Sequence, residues 1–374
     1  MYKVVILNRS LIQYRRIFFD LLKKELNKDD IELELIYGKG GNEKKAIKDE
    51  IDIDWATFVP NKTINIGKTD LTWQPCLKYI KNKDLVVVDS ENKLLINYVL
   101  MFQRLFAKRK LAFWGHGRNL QDDPNSLKNR FKYLFIDKCD WWFGYTKGTK
   151  RFLKSKNFPE EKITVLQNTI DTKGLRNHYL QIKDVDSNKL KIELGIPENG
   201  FTAIYCGAMY PEKNFDFILE TCYRLRREIA DFNMIFIGSG TEAEKVAKAA
   251  DDNKWIHYVG PKFGYDRVKY FKIAQIQLLP YYVGLGVVDS FALETPTIST
   301  SNPYHGPEIE YLENGVNGLI SNDNLEDYYQ TVIKSIRNKS YLKLIEGCKV
   351  STEKLTIDAM VQNFKNGIIS CLSS

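Results

Sequence analysis

The 374-residue sequence lacks any run of about 18 apolar residues, the length that a membrane-spanning helix requires. Its first residues, MYKVVILNRS, contain neither a long apolar segment nor a small-residue cleavage site, so we expect no secretion signal. Cysteine is also scarce: six residues are scattered without a CxxC pair, which is typical of buried thiols in a reducing compartment. These absences favour a cytoplasmic protein.

Basic residues outnumber acidic residues in the first half of the chain but not in the second. Residues 1–180 hold 34 Lys and Arg against 22 Asp and Glu, whereas residues 181–374 hold 21 against 25. A basic half can attract nucleic acid, an anionic membrane or a phosphate-bearing substrate, or it can be a solvated surface. The chain has no zinc-ligand spacing, no RNP-like aromatic motif and no basic helix with heptads, which argues against a nucleic-acid partner.

Short apolar runs alternate with amphipathic segments of helix length. We expect strands at VVIL, IELELI, LVVVD, KLAFWG and KITVLQN, and again at FTAIYCG, NMIFIGSG, KWIHYVG, IQLLP and TPTIST. This series predicts two α/β domains with doubly wound parallel sheets. The expected boundaries are 1–170 and 201–350, with a polar linker over 171–200 and a C-terminal helix within 351–374 that packs back on the first domain.

The loops after the strands of the second half contain glycine or lysine. They are CGAMYPEKN, GSGTEAE, GPKFG and YYVGLGVVD. Ligands of open α/β sheets bind beyond the carboxyl ends of the strands. Glycine lets backbone amides approach a ligand closely, and a helix N-terminus favours an anion. The four loops therefore indicate a phosphate-bearing ligand at this edge.

Several blocks, in this order, resemble the retaining glycosyltransferases of family 4, which have the two-domain GT-B fold. YCGAMYPEKNFDFILETCYRL, MIFIGSGTE, WIHYVGPKFGYDRVKYFKIAQIQLLP and GPEIEYLENGVNGLI are similar to the family's donor half, and FWGHGRN and ITVLQNTIDT to its acceptor half. Residues 38–84 match poorly. The resemblance implies two Rossmann-like domains facing a central cleft. It also implies sugar transfer from a nucleotide-diphosphate sugar to a hydroxyl of a glycan or lipid-diphosphate-linked acceptor, in surface polysaccharide or glycolipid synthesis.

The block YYVGLGVVDSFALETP departs from the family's pair of acids spaced E-x7-E. The resemblance implies that Asp289 is the second acid and accepts hydrogen bonds from the ribose hydroxyls. Tyr281 replaces the first acid, which contacts the sugar in the family. Ala208 stands where the family has an arginine, so Lys213 remains alone to share the diphosphate charge. The plainer alternatives stay open: Asp289 as an acid that favours a helix N-terminus, and Lys213 as a surface lysine.

Candidate residues of the first half lie in two loops. Arg15 and Arg16 in LIQYRRIFF would supply the missing positive charge, or they simply begin an amphipathic helix. His116 lies between two glycines at a strand exit, and the resemblance places it at the acceptor hydroxyl or the donor phosphate. Arg118 follows it as a further phosphate or acceptor candidate. A further candidate lies in the second half of the chain: His305, in NPYHGPE, is a candidate neighbour of the donor sugar.

The resemblance therefore gives the following assignment of roles. His116 and Lys213 are the catalytic candidates, and the donor-binding candidates are Gly207, Lys213, Gly238, Gly240, Lys262, Tyr281, Gly284, Leu285, Gly286 and Asp289. D-x-D occurs at Asp52/Asp54 and at Asp184/Asp186, but both pairs lie in acid-rich stretches. We expect no metal and no cofactor beyond the nucleotide-sugar substrate, because backbone amides and cations stabilise the leaving group in this fold.

Two other functions stay open. A nucleotide-sugar epimerase of the same fold is less favoured, because the acceptor-loop and E-x7-E blocks match the transferases better. A non-catalytic sugar-nucleotide-binding protein is favoured by the changes at Ala208 and Tyr281. The basic first half also predicts peripheral binding to an anionic membrane, on the inner face of the cell membrane.

Overall fold

The computed structural model describes residues 1–40, 50–66, 69–120, 123 and 125–374. The chain divides into two compact units. The first unit contains Met1–Asn168 and Ile357–Ser374, and the second contains Thr169–Thr356. Each unit has its own parallel sheet, so the predicted pair of α/β domains is confirmed.

Seven parallel strands form the sheet of the first unit, in the order β3-β2-β1-β6-β7-β8-β9. A separate antiparallel hairpin is formed by β4 and β5. The strands are β1 Tyr2–Asn8, β2 Ile31–Tyr37, β3 Thr57–Phe58, β4 Lys62–Ile66, β5 Thr69–Trp73, β6 Leu85–Asp89, β7 Lys110–Gly115, β8 Trp141–Gly144 and β9 Ile163–Val165.

Helices pack around this sheet. They are α1 Arg16–Asn27, α2 Leu77–Ile80, α3 Leu95–Gln103, α4 Leu127–Tyr133, α5 Lys147–Ser155 and α14 Ile357–Ser373. Of these, α1, α3 and α14 bury apolar side chains in the core of this unit. The last helix of the chain packs against this unit: Phe364 is fully buried and stacks on Phe143 at 4.2 Å between ring centroids. Gly367 permits this approach, because a Cβ there would stand 2.5 Å from the Phe143 ring.

Six parallel strands form the sheet of the second unit, in the order β12-β11-β10-β13-β14-β15. The strands are β10 Phe201–Cys206, β11 Phe232–Ile237, β12 Ile256–Tyr258, β13 Ile276–Leu278, β14 Thr297–Thr300 and β15 Gly318–Ser321. The helices are α6 Thr172–Gln181, α7 Asp184–Leu194, α8 Phe215–Glu228, α9 Ala243–Asp252, α10 Val268–Ile273, α11 Gly286–Ala292, α12 Leu325–Arg337 and α13 Tyr341–Lys354.

The segment expected to be a linker, 171–200, differs from that expectation. It forms α6 and α7, and both belong to the second unit. Asp171 caps α6 by accepting the N–H of Gly174 at 2.9 Å, and an ion pair of 2.7 Å joins Arg176 to Glu294. The segment looked like a linker because α6 buries only Thr172 and Leu175, which leaves a weak apolar pattern.

Candidate functional site

Lys213 lies on the loop that follows β10. A short 3-10 turn, Pro211–Lys213, ends at Asn214, whose backbone is left-handed with φ of 52°. The Lys213 ammonium donates a hydrogen bond of 2.5 Å to the carbonyl of Tyr282, on the loop after the neighbouring strand β13. Burial lowers the pKa of Lys213 to about 8. The lysine therefore joins two of the predicted ligand loops and is not a freely solvated surface residue.

His305 supports the loop after β13 from its other side. The N–H of Val283 donates to Nδ1 of His305 at 3.0 Å, and Nε2 donates to the carbonyl of Thr300 at 2.9 Å. With one ring nitrogen accepting and the other donating, the imidazole is neutral. Burial lowers the pKa of His305 in agreement with this tautomer. His305 thus fixes the loop that carries the predicted donor-binding amides.

The backbone amides of Leu285 and Gly286 are available for a ligand. Among the described residues no acceptor takes either N–H group. The following amides are already used, since Val287 N–H donates to the carbonyl of Gly284 at 3.2 Å and Val288 N–H to that of Leu285 at 2.9 Å. Two adjacent free donors on the loop that Lys213 contacts can hold an anionic oxygen.

Asp289 forms a buried ion pair that the sequence did not reveal. Its Oδ1 lies 2.6 Å from a guanidinium nitrogen of Arg267, and the two side chains are only 10% and 19% exposed. Arg267 ends the 3-10 turn Gly264–Arg267, ahead of α10. Burial raises the pKa of Asp289, and Arg267 opposes that rise. The carboxylate therefore has a protein partner in addition to its proposed ribose ligand.

Tyr281, which the resemblance aligns with the first acid of the E-x7-E pair, lies within an aromatic and polar cluster. Its ring packs edge-on against Phe217 at 5.1 Å between centroids. Burial and a hydrogen bond with Asp323 raise the pKa of Tyr281 to about 12. A buried carboxylate does lie nearby: Oε2 of Glu308 is 3.8 Å from the point where a Cβ on Gly284 would stand. Sequence reasoning missed Glu308, although it follows Pro307 in the quoted GPEIEYLENGVNGLI block.

The predicted donor glycines after β10 and β11 bring two backbone segments together. A Cβ on Gly238 would stand 1.9 Å from the carbonyl oxygen of Gly207, and one on Gly240 would stand 2.2 Å from that of Met209. Only glycine fits at these positions, so they have a structural role whatever ligand binds. Lys262 is half-buried in the loop after β12.

Arg15 and Arg16 point into different environments. Arg15 is buried: its guanidinium donates to the Asn168 side chain at 2.9 Å and lies over the rings of Trp114 and Tyr145 at 5.0 and 5.7 Å. Arg16 is exposed and lies 3.7 Å from Asp20, one turn along α1. These contacts favour the structural alternative for Arg16 and give Arg15 a packing role.

His116 follows β7 and lies beside the same tyrosine. The His116 and Tyr145 rings are 4.5 Å apart. Burial lowers the pKa of His116 to about 3, with help from the positive charges of Lys132 and Arg15. Its Nδ1 is buried without a hydrogen-bond partner among the described residues, so the neutral imidazole has one unsatisfied ring nitrogen. Arg118 is separate, with its guanidinium 5.3 Å from the centre of the Phe152 ring.

Charged side chains that were not predicted from the sequence lie near His116. Burial raises the pKa of Asp89 to about 7, and the negative charge of Glu91 adds to the rise. The positive charges of Arg9 and Arg15 oppose this rise in the pKa of Asp89. Lys132 donates to the carbonyl of Ser90, and burial lowers the pKa of Lys132 to about 8. The carboxyl edge of the first sheet therefore holds a cluster of groups that titrate near neutral pH.

An Asp89→Asn variant is expected to be more stable than the wild-type protein at pH 8, and the difference should shrink steadily as the pH is lowered from 7 toward 4. The pKa of Asp89 is raised in the folded state, so its contribution to stability is present at low pH and lost as pH rises toward 7. One pKa unit corresponds to about 1.4 kcal/mol, and we expect a gain of at least that size at pH 8. Urea unfolding followed by tryptophan fluorescence measures it, because five of the six tryptophans precede residue 169.

Asp137→Asn is the matched control, because Asp137 is an exposed acid of the same unit and its removal should leave the pH dependence unchanged. Equal unfolding curves for wild-type and Asp89→Asn proteins at pH 8 would contradict the expected ionisation of a buried Asp89.

The two D-x-D pairs take part in ordinary protein contacts. Asp52 accepts from the Tyr37 hydroxyl at 2.7 Å and pairs with Lys39 at 3.1 Å. Asp186 accepts the N–H of Lys183 at the start of α7. Within the part of the chain that the structure describes, no three His, Cys, Asp or Glu side chains are grouped as ligands for a metal ion.

Comparison with known proteins places these loops in a family context. Residues 200–338 match the family model described as "Glycosyl transferases group 1". The matched residues all lie within the second unit. An uncharacterized glycosyltransferase of Haemophilus influenzae is 23% identical over 297 residues, which is 77% of this chain and 77% of that protein. The matched residues include Lys213, Asp289, Arg267, Leu285 and Gly286.

Solved structures are similar over both units. HepE of Anabaena in complex with UDP has a TM-score of 0.71 at 14% identity, and the match covers 98% of this chain and 100% of HepE. A glycosyltransferase of Rickettsia africae also has a TM-score of 0.71, at 16% identity, with 99% and 97% coverage. These similarities confirm the predicted GT-B fold. Together, the family match and the fold support a glycosyltransferase.

Proposed function

We propose that this chain transfers a sugar from a nucleotide-diphosphate sugar to a hydroxyl of a glycan or lipid-diphosphate-linked acceptor, with retention of configuration. The carrying observation is the contact between Lys213 and the Tyr282 carbonyl, which sets a cation beside the free amides of Leu285 and Gly286. UDP and UDP-glucose, the ligands named for HepE, suggest a uridine nucleotide as the donor.

In the proposed reaction, the bond between the anomeric carbon and the diphosphate oxygen breaks, the acceptor oxygen bonds to the anomeric carbon, and the acceptor's hydroxyl proton passes to the departing diphosphate. Negative charge grows on the leaving diphosphate, so donors placed beforehand at that position lower the barrier. Lys213 and the two amides would take the charge-stabilising role in place of a metal ion. Asp289 would accept ribose hydroxyl protons, and the neutral His116 would bind the acceptor hydroxyl.

We place the reaction in surface polysaccharide or glycolipid synthesis, in the cytoplasm at the inner face of the cell membrane. The basic first half supports this placement, because an anionic membrane surface attracts clustered Lys and Arg. Within the part of the chain that the structure describes, no helix is long and apolar enough to cross a membrane. In this proposal the protein binds the membrane peripherally, through its basic first half.

A panel of nucleotide-sugars, assayed for release of nucleoside diphosphate, tests the function. We expect release from at least one uridine nucleotide-sugar, and faster release when a lipid-linked acceptor is added. A non-catalytic sugar-nucleotide-binding protein is the second candidate, because the Tyr281 hydroxyl is engaged with Asp323 where the family has an acid. UDP binding without release from any donor would favour this second function.

A further inference from the structure

Large apolar side chains are exposed together on the first unit, at the end of α3 and on α4. Phe102 is 65% exposed, Phe106 is 79% exposed and Leu127 is 81% exposed. We name this set the α3–α4 surface, and its six members are Phe102, Leu105, Phe106, Leu127, Phe131 and Leu134. An exposed apolar set of this size on one unit indicates contact with something other than water.

The two parts of the α3–α4 surface adjoin one another. Tyr98 on α3 packs against Phe131 at 6.2 Å and against Phe135 at 5.3 Å between ring centroids. Phe102 lies one turn beyond Tyr98 and contacts the Phe106 ring at 5.6 Å. The exposed rings therefore project from neighbouring segments and can enter the same apolar medium.

Positive charge accompanies these apolar residues. Residues 95–140 contain nine Lys and Arg, four Asp and no Glu. Lys108, Lys128 and Arg130 are exposed beside the apolar side chains. Apolar side chains that enter the acyl region, together with cations that meet phosphate headgroups, are the features of an interfacial membrane-binding surface.

We propose that the α3–α4 surface docks the protein on an anionic lipid bilayer, with Phe102 and Phe106 inserted among the lipids. The proposal deepens the membrane part of the proposed function and does not depend on sugar transfer. Charge complementarity identifies the bilayer as the occupant. A purely apolar partner would leave the surrounding lysine and arginine side chains without counter-charges, whereas anionic headgroups supply those charges at the depth where the basic side chains end.

The test is co-sedimentation of the full chain with vesicles of phosphatidylcholine and phosphatidylglycerol. A double variant, Phe102→Ser with Phe106→Ser, should lower the partition coefficient at least about tenfold, since burial of even one phenylalanine side chain contributes that much. Lys128→Glu with Arg130→Glu should weaken binding to these vesicles and reduce its salt sensitivity. Neither pair should change the thermal unfolding of the protein, because all four side chains are exposed.

Ile192→Ser is the matched control: Ile192 is 79% exposed, as Phe106 is, but lies on α7 of the second unit. It should bind vesicles like the wild-type protein. Three results would overturn the proposal: wild-type protein that does not sediment with anionic vesicles at low salt, a phenylalanine double variant that binds as wild type does, or a dimer in light scattering that this variant dissociates without any change in vesicle binding. UDP affinity, measured in parallel by calorimetry, tests the donor site separately.

Discussion

A Lys213→Ala variant is expected to lose turnover by at least about a hundredfold, while its affinity for UDP falls by much less. The Lys213 ammonium contacts the Tyr282 carbonyl beside the free amides of Leu285 and Gly286. Charge on the leaving diphosphate is greater in the transition state than in the ground state, so removal of one prearranged cation affects the rate more than binding. Steady-state rates of UDP release and calorimetric UDP affinity measure the two effects separately.

The pH dependence of kcat/KM gives a second test of the role of Lys213. Burial lowers the pKa of Lys213 to about 8, so the positive charge is present below that pH and is lost as pH rises through it. We expect kcat/KM of the wild-type enzyme to fall above pH 8. The Lys213→Ala enzyme should lack this fall, because it has no ammonium to deprotonate.

Lys248→Ala is the control for Lys213→Ala, since Lys248 is an exposed lysine on α9 of the same unit. It should retain wild-type turnover. Near-wild-type turnover of Lys213→Ala would show that another cation stabilises the diphosphate. If the wild-type protein releases no UDP from any donor and Lys213→Ala only binds UDP more weakly, the result would instead support the non-catalytic function.

The fold was largely predictable because strands buried on both faces appear as continuous apolar runs. The predicted strands VVIL and LVVVD correspond to β1 and β6. The predicted strands FTAIYCG and NMIFIGSG correspond to β10 and β11. The strand β8, Trp141–Gly144, was missed because WWFG is short and follows a charged turn. The helices α6 and α7 were missed because few of their residues are buried, so the periodic apolar signal was weak.

The candidate site was less predictable, because its contacts join loops that are distant in sequence. The lysine could be selected from its loop, but its partner, the Tyr282 carbonyl, depends on β10 and β13 being neighbours. Arg267 lies 22 residues before Asp289, and no local pattern links them. Asp89 could have been found, because it is the acidic residue that ends the strand LVVVD at the carboxyl edge of the predicted sheet.

An Asp289→Asn variant is expected to lose both stability and UDP affinity, and the structure supplies the reason for the first loss. Asp289 and Arg267 form a buried ion pair of 2.6 Å. Neutralising the acid leaves the buried guanidinium without a counter-charge, which costs about 3 kcal/mol or more. An amide also accepts fewer hydrogen bonds from the ribose hydroxyls, so UDP affinity should fall by about 1–3 kcal/mol. Urea unfolding followed by far-UV circular dichroism and calorimetry with UDP measure the two losses.

A double variant separates the two roles of Asp289. Arg267→Met with Asp289→Leu removes both buried charges, and an apolar pair of similar volume is often as stable as the ion pair or more stable. We therefore expect stability to return toward the wild-type value while UDP affinity stays about tenfold or more below it, since tenfold corresponds to about 1.4 kcal/mol. If the stable double variant binds UDP as tightly as the wild-type protein, Asp289 acts only through Arg267 and lies outside the nucleotide site. If Asp289→Asn alone unfolds like the wild-type protein, the ion pair contributes nothing to stability and any loss of UDP binding belongs to the carboxylate itself.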